Sequence, residues 1–205
     1  MAIKSLQHSS LTDNIFYRSL LAGNAAFNPS DEDILAEQVL SSSAASVTFS
    51  GLDTLAAGYE HLQLRISARC SRAVAFWDTI VMQMNSDATV GSYYNHRLLG
   101  DTSAVASYAG NFSTAGVIAG DAAGSSSTAD SFSASVVDIL DFSSSGKNTT
   151  VRALTGTNLA GSFNSEIMLS SGAWFNTAAV TQLELKPQSG ASFLQFSRFT
   201  LIGLK

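Results

Sequence analysis

Cysteine, proline and charged side chains are all scarce in this chain of 205 residues. Its one cysteine, Cys70, cannot form an internal disulfide, which excludes the small secreted scaffolds that disulfides hold together. No continuous apolar stretch reaches the roughly 18 residues of a membrane span, and the first residues hold no apolar signal-peptide core. We therefore expect a protein that is made in a cytoplasm and does not insert into membranes.

Charged residues make up only 13% of the chain, against an ordinary share of about 25%. Lys and Arg total 11 and Asp and Glu total 16, which gives a net charge of −5. The basic residues are dispersed, so no basic stripe is available to neutralise a phosphate backbone. This distribution excludes nucleic acid as the main partner.

Small hydroxylated residues fill the place of the missing charges. The chain has 33 Ser, 15 Thr and 15 Gly beside 12 Phe, 5 Tyr and 2 Trp. A disordered chain needs high charge and few aromatic residues, so this composition argues for a folded domain. Ser, Thr and Gly with many aromatics are typical of short strands joined by polar loops, which favours an all-β fold.

From Val47 onward the apolar residues recur with a period of two. Leu62, Leu64 and Ile66 alternate with polar residues, and similar alternation marks the segments 78–84, 180–185 and 196–204. This pattern is typical of strands with one buried and one solvated face. We predict a single antiparallel β-sandwich of about eight to ten strands, jelly-roll-like or immunoglobulin-like, because no long helix separates the strands.

The first 45 residues lack this alternation and are predicted to form an N-terminal extended arm, with the sandwich over 46–205. The short apolar run 34–40 in this segment could be a helix or a strand. One interpretation of the arm is a loosely packed extension, and the other is an attachment segment that docks its apolar residues on another chain. The residues that would carry such attachment are Ile15, Phe16, Tyr17, Leu20, Leu21 and Phe27.

No pattern of residues indicates a catalytic or metal site. His8, His61 and His96 lack metal-ligand spacing to one another, to Cys70 or to a carboxylate. The segment 85–87, Asn-Ser-Asp, is a candidate loop for a hard ion but lacks the acidic density of a Ca²⁺ site. We predict no catalytic residues, no metal and no cofactor, and a semi-buried inert thiol at Cys70.

Four aromatic residues are candidates for stacking on sugars: Trp77, Tyr93, Tyr94 and Trp174. The alternative is that they pack in the sandwich core, which also needs large aromatic side chains, and this alternative is favoured. If one of them lies in an open groove beside Asn, Asp or Arg, it would provide a glycan contact.

Two stretches resemble recurrent sequence motifs of tailed-bacteriophage virion proteins. The first is Met-Gln-Met-Asn-Ser-Asp at 82–87 followed by Gly-Ser-Tyr-Tyr-Asn-His-Arg-Leu-Leu-Gly at 91–100. The second is the closing segment, where Ser-Arg-Phe-Thr-Leu-Ile-Gly-Leu at 197–204 resembles a family ending in Leu-Tyr-Gly-Ile. Ile202 stands at the Tyr of that ending and Leu204 at its Ile. The opening of the chain, 14–24, is similar to the arms of such proteins.

This resemblance implies a jelly-roll-like sandwich displayed on a phage particle and localised to the virion after assembly in the host cytoplasm. It implies other virion proteins of capsid or tail as partners, and a homo-oligomer with a trimer favoured. The leading hypothesis is a non-enzymatic capsid decoration or cement protein that attaches through its arm. Its alternative is a tail-associated, fibre-like receptor-binding domain for host surface glycans, and a glycan depolymerase is a third, disfavoured reading.

Overall fold

The computed structural model describes residues 32–101, 103–110, 115–158 and 165–205. These residues form twelve β-strands, one short helix and one 3₁₀ turn over Val90–Ser92. The strands are β1 (Glu32–Val39), β2 (Val47–Ser50), β3 (His61–Ala68), β4 (Trp77–Met84), β5 (Tyr93–Asp101), β6 (Val105–Gly110), β7 (Val117–Ala123), β8 (Ser133–Leu140), β9 (Thr149–Thr157), β10 (Glu166–Trp174), β11 (Gln182–Pro187) and β12 (Arg198–Leu204), and the helix is α1 (Leu52–Leu55).

The strands build two antiparallel sheets. The large sheet has eight strands in the order β1-β12-β3-β8-β9-β10-β5-β6, and the small sheet has four in the order β2-β11-β4-β7. The all-β, antiparallel sandwich that the sequence predicts is therefore confirmed. In the described part of the chain, no helix is long and apolar enough to cross a membrane.

Buried and exposed residues alternate along the strands of the large sheet, so the sequence determines which face of the sheet each side chain occupies. Along β9, Val151 and Ala153 are buried while Arg152 and Leu154 are exposed, and the same pattern holds from Thr149 to Thr157. Successive side chains of a strand point to opposite faces, so one face of this sheet lies against the small sheet and the other faces outward. We call the face against the small sheet the inner face and the opposite one the outer face.

The core lies between the inner face and the small sheet. It contains the largest fully buried side chains, among them Trp174, Tyr93, Phe142, Phe193 and Phe199. The rings of Phe193 and Phe199 meet edge to face with centroids 4.9 Å apart. β12 contributes Phe199 and Leu201 to this core, between β1 and β3, so the chain end is an integral strand.

Strand β7 is the edge of the small sheet, and side chains of the large sheet satisfy its free backbone groups. The Asn95 amide donates to the Gly116 carbonyl at 3.1 Å and accepts from the Ile118 amide at 2.9 Å. The Ser170 hydroxyl donates to the Ile118 carbonyl at 3.2 Å. An unpaired sheet edge invites pairing with other chains, and these side chains cover it.

Glycine is required where β7 approaches the large sheet most closely. Gly120 has a φ of +127°, and a Cβ placed there would lie 2.1 Å from the Ser135 hydroxyl and 2.6 Å from the Thr155 hydroxyl. Those two hydroxyls are hydrogen-bonded to each other at 2.9 Å. The polar contact is thus buried beneath a backbone that no larger residue could bring so near.

The observed strands differ from the sequence-based expectation in number and in two boundaries. Eleven of the twelve strands, β2 to β12, lie in the region of the predicted sandwich, where about eight to ten were expected. The other strand is β1, in the part of the predicted arm where a helix or a strand was expected, and it pairs with β12. Another difference is β10, because the sequence suggests two short strands over 163–169 and 173–175, whereas Ser170, Ser171 and Gly172 continue the pairing with β5 and β9.

Candidate functional site

Apolar side chains form a continuous row across the outer face of the large sheet. Leu154 on β9 lies opposite Val136 on β8 and opposite Leu169 on β10. Leu169 in turn lies opposite Leu98 on β5. Directly opposed residues of an antiparallel sheet share a face, so these four side chains form one row across four adjacent strands, each beside the next. We call them the apolar ridge.

The ridge is exposed, although its strand neighbours are buried. Leu154 is 55% exposed, whereas Ala153 and Thr155 on either side of it are each 1% exposed. Ile167 and Val105, one row along the same face, are 67% and 76% exposed. We call the ridge together with these two residues the apolar strip.

Ion pairs border the strip where the outer face continues toward β3, β12 and β1. Arg152 binds Asp138 at 2.7 Å, Arg65 binds Glu32 at 2.7 Å, and Arg198 binds Glu37 at 2.7 Å. The arginines and acids of these pairs are equal in number, so together they carry no net charge. The outer face is therefore divided into an apolar half and a half of paired charges.

The pKa of Asp138 shows how firmly this border is ionised. Partial burial acts to raise the pKa of the Asp138 carboxyl, but hydrogen bonds from Arg152 and Gln63 outweigh burial and hold it below its ordinary value. The pair remains charged at neutral pH, which makes it a polar rim and not an extension of the apolar strip.

Tyr94 and His96 also lie on the outer face, on β5, far from the strands β3, β12 and β1 that carry two of the ion pairs. Their rings meet edge to face with centroids 5.3 Å apart, and Tyr94 is 45% exposed. Between them and the ridge lies a shallow hollow of about 490 Å³ whose lining includes His96, Leu98, Leu169, Ser107 and Ser171. Tyr94 is thus the candidate glycan residue that lies on an open face.

The other three candidate glycan residues are placed differently. Tyr93 and Trp174 are each 1% exposed, so neither offers an open ring face, and Trp77 is partly buried at the start of β4. The Trp174 indole donates to the Asp87 carboxylate at 2.8 Å, and the Tyr93 hydroxyl donates to the Asp87 carbonyl at 3.0 Å.

The segment 85–87, the candidate ion loop, is a tight turn held by the protein's own groups. The hydrogen bond from Trp174 and the bond from the Thr89 amide lower the pKa of Asp87 to about 2. The Asn85 side chain donates to the Ala179 carbonyl at 2.8 Å and accepts from the Thr181 amide at 2.8 Å. This turn joins the core aromatics to the loop before β11.

The arm residues proposed for attachment, Ile15, Phe16, Tyr17, Leu20, Leu21 and Phe27, lie outside the described residues. The described chain starts at β1, which is the outermost strand of the large sheet. The Tyr59 hydroxyl donates to the Asp33 carboxylate, and Glu32 is paired with Arg65. Any segment before Glu32 is therefore connected to a strand that is fixed at its first residues.

A buried pair of carboxyl groups joins the two sheets, and the sequence analysis missed it. Asp121 of β7 is 1% exposed and Glu166 of β10 is 7% exposed. Burial first, and the neighbouring Glu166 carboxyl second, raise the pKa of Asp121 well above its ordinary value, while Thr79 and Arg97 act in the opposite direction. The available signal was one acidic residue within the apolar run 117–123.

The remaining titratable candidates have structural partners. His61 Nδ1 accepts a hydrogen bond from the Asp141 amide at 3.0 Å. Cys70 is fully buried, and burial raises the pKa of its thiol despite the nearby arginines. Across residues 32–101, 103–110, 115–158 and 165–205, no three His, Cys, Asp or Glu side chains converge in an arrangement that could hold a metal ion.

No family model, curated protein or solved structure matches the chain.

Proposed function

We propose that this chain is a non-enzymatic structural protein of a bacteriophage virion, a capsid decoration or cement protein attached through its N-terminal arm. The observation that carries the proposal is the apolar strip. Exposed apolar patches that are rimmed by polar residues typically mark protein contacts. The strip has six aliphatic side chains that are 41–76% exposed, and it lies beside a rim of ion pairs.

The phage context of the proposal rests on the resemblance at 82–100 and 197–204. A sandwich with few charges and a hydroxyl-rich surface suits dense packing between neighbouring subunits of a shell. The resemblance also supports a homo-oligomer, with other virion proteins as the partners of the arm.

Removing residues 1–31 is expected to abolish attachment and leave the sandwich folded. The deletion ends just before β1, so it retains the pairing of β1 with β12 and the Glu32–Arg65 ion pair. Burying three or four apolar arm residues on a partner would contribute on the order of 5 kcal/mol before ordering costs. The truncated chain is added to particles that lack the protein, and its occupancy is measured by quantitative mass spectrometry of the purified virions. This occupancy is expected to fall to background.

A full-length variant separates loss of apolar contact from loss of length. Phe16→Ser combined with Tyr17→Ser keeps the arm and is expected to reduce occupancy strongly, whereas Gln7→Ser is a control that keeps it. Full occupancy of the truncated chain would disprove attachment by the arm, and particles that never take up the intact chain would disprove the virion assignment.

The exposed Tyr94 favours a second candidate function, a tail-associated domain that recognises host surface glycans. A tyrosine ring on an open face beside His96 and a serine-lined hollow could stack on a sugar and hydrogen-bond to it. Single-site binding of this kind is weak and becomes useful through many copies.

Tyr94→Ala is expected to abolish binding on a host-glycan array if this second function is correct. Tyr94 is half exposed, so the substitution should leave the thermal melting of the domain nearly unchanged. Phe196→Ala is the matched control, because Phe196 is an exposed aromatic residue, at 68%, in the turn before β12, which lies five strands away from β5 in the large sheet. An array without specific signals for the intact oligomer would leave only the structural role.

A further inference from the structure

We infer that a second copy of this chain covers the apolar strip, with two large sheets packed face to face about a two-fold axis. This inference rests on the proposed function, names the partner of that surface, and replaces the trimer that the resemblance implies with an assembly of paired chains. Three features of the outer face support it: its relief, its charge and its extent.

The relief of the face is self-complementary. Beside the ridge, between β9 and the strands β3 and β12, lies a hollow of about 500 Å³ whose lining includes Ala134, Gly156, Val136 and Leu154, with the ion-paired Arg65 and Arg198 at its border. Gly156 has open space where a side chain would stand, whereas Leu154, two residues earlier on β9, projects into solvent. In a two-fold contact, a residue that touches a second residue on the other copy is matched by the same contact in the reverse direction. Leu154 of each copy can therefore enter the hollow at Gly156 of the other.

The charge of the face permits two identical surfaces to meet. The whole chain carries −5, which would oppose the approach of two copies over most of their surface. Around the strip, however, the charges of Arg152, Arg65 and Arg198 are each matched by an acid within 2.7 Å. Like charges placed opposite each other across an interface are costly, and a neutral border avoids that cost.

The extent of the face fits a sheet-on-sheet contact. The strip crosses five strands, from β8 to β6, which is about 20 Å at about 4.8 Å between neighbouring strands. Two sheets pack face to face with about 10 Å between them, which the ridge side chains of both copies would fill. A standard interface buries about 800 Å² on each partner, so the paired-charge border must join the strip at the rim.

Sedimentation equilibrium of the purified full-length chain tests the inference. We expect assemblies with an even number of chains that dissociate on dilution. Leu154→Arg removes the projecting side chain, and Gly156→Val fills the hollow while adding a residue that strands favour. Each change occurs twice in a two-fold contact, so each is expected to raise the dissociation constant at least about 30-fold.

Val74→Arg is the matched control for Leu154→Arg. Val74 is 95% exposed in the loop between β3 and β4, away from the strip. Its substitution by Arg is therefore expected to leave the association of the chains unchanged. Thermal melting of every variant verifies that it is folded. A wild-type chain that stays monomeric at its highest soluble concentration, an assembly of three chains, or an assembly that survives Leu154→Arg would overturn the inference.

The outcome is separable from that of the proposed function. A chain that pairs through the strip but never enters virions would retain this inference and disprove the virion role. A chain that enters virions yet fails the sedimentation test would do the reverse.

Discussion

A chain that ends at Ser197 is expected to be insoluble or fully protease-sensitive. The deletion removes β12, and with it Phe199 and Leu201, which are completely buried, and Ile202, which is 1% exposed. At about 1.5–3 kcal/mol for each fully buried apolar side chain, this loss amounts to about 5–9 kcal/mol. Total domain stabilities are only about 5–15 kcal/mol, so little or nothing would remain.

The position of β12 adds to this loss. It lies between β1 and β3, so its removal detaches β1 from the sheet and leaves a long open edge on β3. Circular dichroism and limited proteolysis of the soluble fraction measure the effect. A chain lacking only Lys205 is the control and should melt like the intact protein. A soluble truncated chain with one cooperative melting transition would show that β12 is dispensable.

The fold was predictable from the sequence wherever apolar and polar residues alternate cleanly. β3 shows that alternation, and its apolar residues Leu62, Leu64 and Ile66 are buried in the core. β7 does not, because its seven residues, Val-Ile-Ala-Gly-Asp-Ala-Ala, are all buried, and this composition does not indicate which strand will pair with it. It pairs with β4, and its free edge is covered by Asn95 and Ser170, which are distant in sequence.

The candidate surface was less predictable than the fold. Alternation indicates that Tyr93 and Tyr94 face opposite ways, but it does not say which of the two faces is covered by the small sheet. The structure buries Tyr93 and exposes Tyr94. The ridge was hidden for a related reason, since Val136, Leu154, Leu169 and Leu98 come together only through the registers of three strand pairs.

Asp121→Asn is expected to stabilise the protein at neutral pH by several degrees in melting temperature. Burial and the neighbouring Glu166 carboxyl raise the folded-state pKa of Asp121 well above its ordinary value. Above the ordinary pKa of about 3.9, the unfolded chain releases this proton while the folded chain retains it. The favourable contribution of the protonated group is therefore complete below about pH 4 and is lost as the pH rises through the raised folded-state pKa.

An asparagine at this position has no proton to lose, and its amide can donate to a side-chain oxygen of Glu166. The melting-temperature difference between the variant and the wild type should therefore grow as the pH rises from about 4.5 toward 8. Asp101→Asn is the matched control, because Asp101 lies opposite Glu166 on β5 but is exposed. Hydrogen bonds from the Ser103 amide and hydroxyl and the Ala104 amide lower the pKa of Asp101, so its contribution is lost only on acidification below about pH 4.

Scanning calorimetry across this pH range distinguishes the two carboxyl groups. The Asp101→Asn difference from wild type should stay constant above about pH 5, while the Asp121→Asn difference should increase. A constant difference for Asp121→Asn would mean that Asp121 is already ionised in the folded protein throughout this range. That outcome would contradict the expectation of a neutral Asp121 carboxyl between the sheets.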